Sequence, residues 1–270
     1  MITYPVHQNS NSELKKSADE LKQILEESVP SLCMLPILEK IINKQDPTLE
    51  EILDLCSHND SLLSRLTRRS GVQGTVDEFA KAVLFNKGLG FLKSLAIRTM
   101  IHEMFDFSIN SSDETDASLK RRSIILARFA KSFCKDLSME PDLAYFSGLF
   151  YQFNYVAYFL LNPLDREDGS FERDAQKYSV ITGGALASFG FNETVCNIVF
   201  DSRKNLHDTY FPFFHALTRI GLGLLLNSES SYTRSSRSRR PNRELLDATG
   251  LKERKIVNKL REISKNYNGT

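Results

Sequence analysis

Apolar residues recur at spacings of three and four along almost the whole chain, and no stretch alternates apolar and polar side chains as a strand does. Leu14, Ala18, Leu21 and Leu25 fall on one face of a 3.6-residue helix. Leu35, Leu38, Ile41 and Ile42 do the same, and so, later, do Ile124, Ala127, Phe129, Ala130, Phe133 and Leu137. The period allows an all-α fold class. Helix starts agree: Thr48 with Glu51 and Thr75 with Glu78 are Ser/Thr-x-x-Glu capping boxes, each followed by apolar residues at helical spacing. Pro30, Pro36, Pro47, Gly71, Gly74, Gly88 and Gly90 read as helix ends that divide the first third into short helices.

The polar run SINSSDETDAS marks a loop or linker at 107–118 and divides the expected fold into two helical lobes, 29–106 and 119–227, preceded by an N-terminal helix at 1–28. In the second lobe helices are expected near 141–162, 172–189, 193–203 and 211–227. A Ser/Arg-rich linker follows at 228–243, too polar to bury a core, and then a basic tail at 244–270 whose Leu245, Leu246, Leu251, Ile256, Val257, Leu260 and Ile263 suggest one or two amphipathic helices. Charge sets this end apart. Eleven Lys/Arg against five acids give 228–270 a net +6, so 1–227 carry −5 of the chain's total of +1. Arg234, Arg237, Arg239, Arg240 and Arg243 are therefore the candidate residues for an anionic partner, nucleic acid or acidic lipid, with a flexible solvated linker as the plainer reading. Only Tyr232 lies among them, which gives little to stack a base on.

Residues 143–164 carry no charge and are long enough to cross a bilayer. Gln152, Asn154, Asn162, Pro163 and four Tyr would be costly in hydrocarbon, so the stretch reads as a buried core helix and no transmembrane segment is expected. Cys33, Cys56, Cys134 and Cys196 form no CxxC pair and sit in apolar helical surroundings, and no N-terminal signal pattern is seen, so a cytoplasmic location is expected.

Catalytic patterns are sparse. The five histidines show no HxxxH or HExxH spacing, and His207-Asp208 with His215 is the one weak ligand grouping. Gly88-Leu89-Gly90 and Gly221-Leu222-Gly223 lack the rest of a Walker or dinucleotide fingerprint and follow no strand. Ser188 lacks the G-x-S-x-G frame of a nucleophile elbow.

A set of ordered motifs nevertheless forms a pattern. Val29-Pro30-Ser31-Leu32 is followed by Leu38, Ile41 and Ile42, then by Asp46-Pro47, Leu49-Glu50-Glu51 and Asn59-Asp60-Ser61-Leu62. Ala82-Val83 with Gly88, Leu92 and Leu95 comes next, then AYFSGL at 144–149 and GGALASFG at 183–190. Together these resemble the HDOD domain, a bacterial signalling module related to the HD and HD-GYP phosphohydrolases, over roughly 29–226. The resemblance implies a two-lobed, multi-helix HDOD-like fold and a regulatory rather than catalytic role.

Departures from the metal-dependent relatives matter as much. The resemblance places the HD dyad on Tyr151-Gln152, the following Gly on Asn154, the later His on about Ser179 and the His pair on about Asp201 to Arg203. Tyr, Gln and Ser do not replace imidazole and carboxylate ligands, so the expectation is no enzyme, no metal and no cofactor. Two outcomes stay open for this degenerate cleft. Tyr151, Phe153, Tyr155 and Phe189 fill it as core, or Gln152, Asn154 and Arg203 remain available to a phosphate-bearing ligand such as a cyclic dinucleotide. The expected function is a non-enzymatic regulatory or scaffolding protein acting on other signalling proteins. The alternatives are a residual metal-dependent nucleotide phosphohydrolase, or nucleic-acid or anionic-membrane binding through the tail.

Overall fold

A computed structural model describes residues 8–44, 48, 50–51, 54, 78, 81, 88–106, 114–162, 170–229 and 242–267. These residues are all-helical, with no strand among them. In chain order the helices are α1 (Gln8–Ser28), α2 (Pro30–Ile42), α3 (Leu89–Asp106), α4 (Glu114–Ser132), α5 (Pro141–Phe150) and α6 (Phe153–Leu161). Then come α7 (Ser170–Phe189), α8 (Glu193–Phe200), a 3-10 turn at Leu206–Asp208, α9 (Pro212–Glu229), α10 (Arg243–Thr249) and α11 (Glu253–Tyr267). Asp46-Pro47, Asn59 to Leu62, Thr75, Ala82-Val83, Cys56 and Arg234 to Arg240 lie outside the described residues.

Local chemistry accounts for several boundaries. Thr48 and Glu51 form the expected capping box reciprocally, Thr48 N–H donating to Glu51 Oε2 at 3.1 Å and Glu51 N–H to Thr48 Oγ1 at 3.2 Å. Asn192 and Asn242 cap α8 and α10 by accepting from Thr194 and Glu244 N–H, each at 2.9 Å. Helix α2 has no cap of its own, since Val29 precedes it. Instead the buried carboxylate of Glu103, on α3, accepts from Ser31 N–H at 3.0 Å, so a negative charge from a neighbouring helix meets the positive end of α2. Pro36 lies inside α2 rather than at its end. The helix runs through it because Leu32, Leu35, Leu38 and Ile41 are buried on one face, and that burial outweighs one missing backbone bond.

The boundary expected at 107–118, of which 107–113 lie outside the described residues, does not separate two cores. Helix α4 already begins at Glu114, within it. The main apolar cluster joins Leu21, Leu25, Leu32 and Leu38 with Met100 on one side of that boundary to Phe150, Phe153, Ile181 and Val195 on the other, and α1 packs directly on α7. A second cluster holds Ile125, Leu126, Phe129 and Phe133 of α4 with Leu217 and Ile220 of α9 and Ile256, Leu260 and Ile263 of α11. Residues 244–267 are thus no appendage: their last helix completes this core, and Lys255 pairs with Asp136 at 2.8 Å on the rim. Their apolar side chains, at helical spacing, outweigh their charge in deciding where they lie.

The described part of the uncharged stretch, 143–162, is not one helix but two, α5 and α6, broken at Tyr151 and Gln152. Among the described residues no helix is long and apolar enough to cross a membrane. Helix α5 lies against α4 at Gly148, where a Cβ would stand 2.6 Å from the carbonyl oxygen of Leu126. Only glycine permits that approach, and it fixes where α5 delivers Tyr151.

Candidate functional site

Five of the six residues assigned to the degenerate cleft are buried: Tyr151, Gln152, Asn154, Ser179 and Asp201. They come from different elements. Tyr151 and Gln152 form the break between α5 and α6, Asn154 lies in the first turn of α6, Ser179 is midway along α7, and Asp201 follows α8. Arg203, half-buried, turns its guanidinium onto the Tyr155 ring, 5.1 Å from its centroid.

Hydrogen bonds join several of these groups, while Gln152 Oε1 and Asn154 Oδ1 are buried without a partner among the described residues. Ser179 Oγ donates to Ala175 O at 3.0 Å, which uses its single proton, so it accepts from Asn154 Nδ2 at 3.3 Å and from Ser202 Oγ at 3.0 Å. The carbonyl of Ser202 accepts from Tyr151 Oη at 3.4 Å and from Arg219 Nη2 at 3.3 Å. Arg219 Nη2 also donates to the carbonyl of Lys204, and its Nε donates to Tyr151 Oη at 3.4 Å. Tyr151 Oη lies 3.2 Å from His215 Nδ1. Three separate elements, the α5–α6 break, the turn after α8 and helix α9, are therefore bound through one phenol. Around it, Tyr151 packs with Ala130, Ile198 and Phe214.

Protonation follows from burial. His215 is fully buried beside Arg219 and Lys204, and desolvation followed by those two cations pushes its pKa down to about 3. The imidazole is neutral at ordinary pH. If its proton sits on Nδ1 it donates to Tyr151 Oη, freeing the phenol to donate to Ser202 O; this arrangement satisfies all three contacts of the phenol at once. Burial pushes the Tyr151 phenol above its usual value despite the opposing pull of Arg219. Asp201 is held by Lys204 Nζ at 2.6 Å from Oδ1 and by Tyr210 N–H at 3.3 Å from Oδ2.

The other predicted residues lie elsewhere. Phe153 is buried nearby in the main core, whereas Phe189 is half-buried with Lys22 of α1 over its ring at 5.9 Å. His207 is 90% exposed, 4.0 Å from Glu244, while His215 is interior, so the weak grouping His207-Asp208-His215 does not converge. Among the described residues no group of three or more His, Cys, Asp or Glu is gathered as metal ligands would be. In GGALASFG, Gly183 serves packing, since a Cβ there would stand 3.1 Å from the carbonyl oxygen of Cys196 on α8, whereas Gly190 follows α7 with φ 87°. Arg243 opens α10, exposed and 4.0 Å from Asp247. A groove of about 660 Å3 lies over α2, between Glu26, Cys33, Ile37, Lys40 and Glu51, and shares no residue with the polar centre.

Comparison with protein-family models, with curated proteins and with solved structures finds no match. The arrangement itself carries two residues that motif reasoning did not combine, His215 and Arg219. Their one-turn spacing on α9, with a titratable ring and a guanidinium on one face of an otherwise apolar helix, is the signal that sequence offered for them.

Proposed function

We propose that the chain is a non-catalytic regulatory or scaffolding protein of the HDOD type, acting in bacterial signal transduction through recognition of other proteins by its helical surfaces. The observation that carries this reading is the use made of the polar centre. Where HD phosphohydrolases would place metal ligands, this chain has a phenol, an amide and two hydroxyls: Ser179 bonds to Asn154 and Ser202, and Tyr151 to a backbone carbonyl, while Gln152 Oε1 and Asn154 Oδ1 are buried without a partner among the described residues. The one carboxylate there, Asp201, is already bound to Lys204, and the one imidazole, His215, is neutral and interior. Such groups lock helices together; they do not present a charged, open set of ligands to a cation and an attacking water. A helical body locked in this way suits recognition by surface shape.

The test uses the full chain. It is purified after growth with manganese, iron and zinc, then assayed for bound metal, for hydrolysis of nucleotide phosphoesters and cyclic dinucleotides, and for cyclic-dinucleotide binding by calorimetry. The reading expects no stoichiometric ion, no turnover above buffer and no saturable nucleotide binding. Hydrolysis abolished by Asp201→Asn would overturn it in favour of an enzyme, and saturable nucleotide binding abolished by Arg203→Ala in favour of a ligand sensor.

A further inference from the structure

Helix α11 has two opposite faces. Ile256, Leu260 and Ile263 point into the core with α4 and α9. At 100° per residue, Arg254, Asn258, Arg261 and Lys265 fall within about 60° of one another on the far side, a straight stripe about 16 Å long. All four are exposed. Of the nearby acids, Glu262 holds Lys259 at 3.0 Å and Asp136 holds Lys255 at 2.8 Å, and Glu253, at the start of the helix, pairs with none of the stripe's residues. Among the described residues no acid stands within ion-pair distance of Arg254, Arg261 or Lys265, three cations held on a rigid helix without neutralisation.

We infer that this stripe is a docking surface for the phosphate backbone of duplex nucleic acid, recognised without regard to sequence. Charge complementarity is the first argument. Cations spaced along a rigid axis neutralise successive phosphates of a polyanion and release its counterions, whereas a mobile cluster must first be ordered. The second argument separates duplex from its competitors. The apolar face of α11 is consumed by the protein core, so the helix cannot insert into a bilayer as an interfacial helix does. The stripe contains no aromatic residue on which an unpaired base could stack. The inference is independent of the HDOD-type reading, since none of its residues belongs to the polar centre.

Removing residues 228–270 is the wrong test, because it strips α11 from the core. Instead, the full chain and the variant R254Q/R261Q/K265Q are titrated by anisotropy onto a labelled DNA duplex of about 24 base pairs, at about 50 and 200 mM salt, with circular dichroism as the fold check. Three phosphate contacts contribute about −2.7 to the slope of log K against log salt, a fall of about fortyfold over that range. The wild-type chain is expected to bind, and the variant to lose that part of the slope with its helicity unchanged. Three results would overturn the inference: no duplex binding by the full chain, binding and slope unchanged in the triple variant, or binding to vesicles of equal parts phosphatidylserine and phosphatidylcholine with none to duplex. Should the variant lose helicity, R254K/R261K, which keeps both charges, must bind as the wild type does; weakened binding by it would also overturn the inference.

Discussion

Replacing Tyr151 by Phe removes one oxygen and little volume, so it isolates what the phenol contributes. That oxygen accepts from Arg219 Nε and lies 3.2 Å from His215 Nδ1, and it donates to the carbonyl of Ser202. In the variant Ser202 O keeps Arg219 Nη2, and the half-buried Arg219 reaches other acceptors. The imidazole N–H does not. His215 is fully buried, and its other nitrogen has no hydrogen-bond partner among the described residues, so the variant leaves a buried donor stranded. Such a group costs about 1 to 3 kcal/mol, which for a chain of this size lowers Tm by roughly 2 to 10 °C. Differential scanning calorimetry at neutral pH measures the drop, and the tautomer adds a second readout. With Nδ1–H no longer tied to the phenol, the proton can move to Nε2, and the ring nitrogen shifts in 15N NMR should change. A Tm within about 1 °C of wild type together with unchanged ring shifts would refute the claim that the phenol binds the three elements together.

Acid sensitivity should trace to His215. Its folded pKa of about 3 lies below the unfolded value, so the unfolded chain binds more protons between the two; the histidine's contribution is complete above about pH 6.5 and is lost as pH falls toward 3. His215→Gln should flatten the pH dependence of urea unfolding across that window, and an unchanged profile would show that other groups dominate. Gly148→Ala places a methyl carbon 2.6 Å from the Leu126 carbonyl oxygen and 2.9 Å from the Ala127 Cα, both backbone atoms, so α5 must move outward. A loss of about 1 to 3 kcal/mol in urea unfolding is expected, and an Ala variant as stable as wild type would show that α4 and α5 give way freely. Leu260→Ala should cost about 2 to 5 kcal/mol, a core value; a cost under about 0.5 would mean that α11 does not complete the core.

Much of the helical framework was legible along the chain. Helices expected at 172–189 and 211–227 correspond to Ser170–Phe189 and Pro212–Glu229, because a 3.6-residue apolar period and the requirement to bury that face act locally. The break at Tyr151-Gln152 was not legible. Nothing in an uncharged run of apolar and aromatic residues marks a stop, and the break is made by what surrounds it: Gly148 against α4, and the phenol held by α9 and the turn after α8. The same holds for Pro36, which continues α2 only because the face around it is buried.

Sequence by itself determined that this chain is helical and that its C-terminal segment is amphipathic and basic. Periodicity and charge are properties of neighbours a few residues apart, and they survive without any knowledge of the fold. Tertiary structure alone decided that the C-terminal helix is part of the body rather than an appendage. It also decided that Tyr151, Ser179, Ser202, His215 and Arg219 meet: these residues span 68 positions, and which hydroxyl faces which carbonyl depends on how whole helices pack. Hydrogen bonds reach about 3 Å, so a polar centre exists only once packing has brought its parts within that distance.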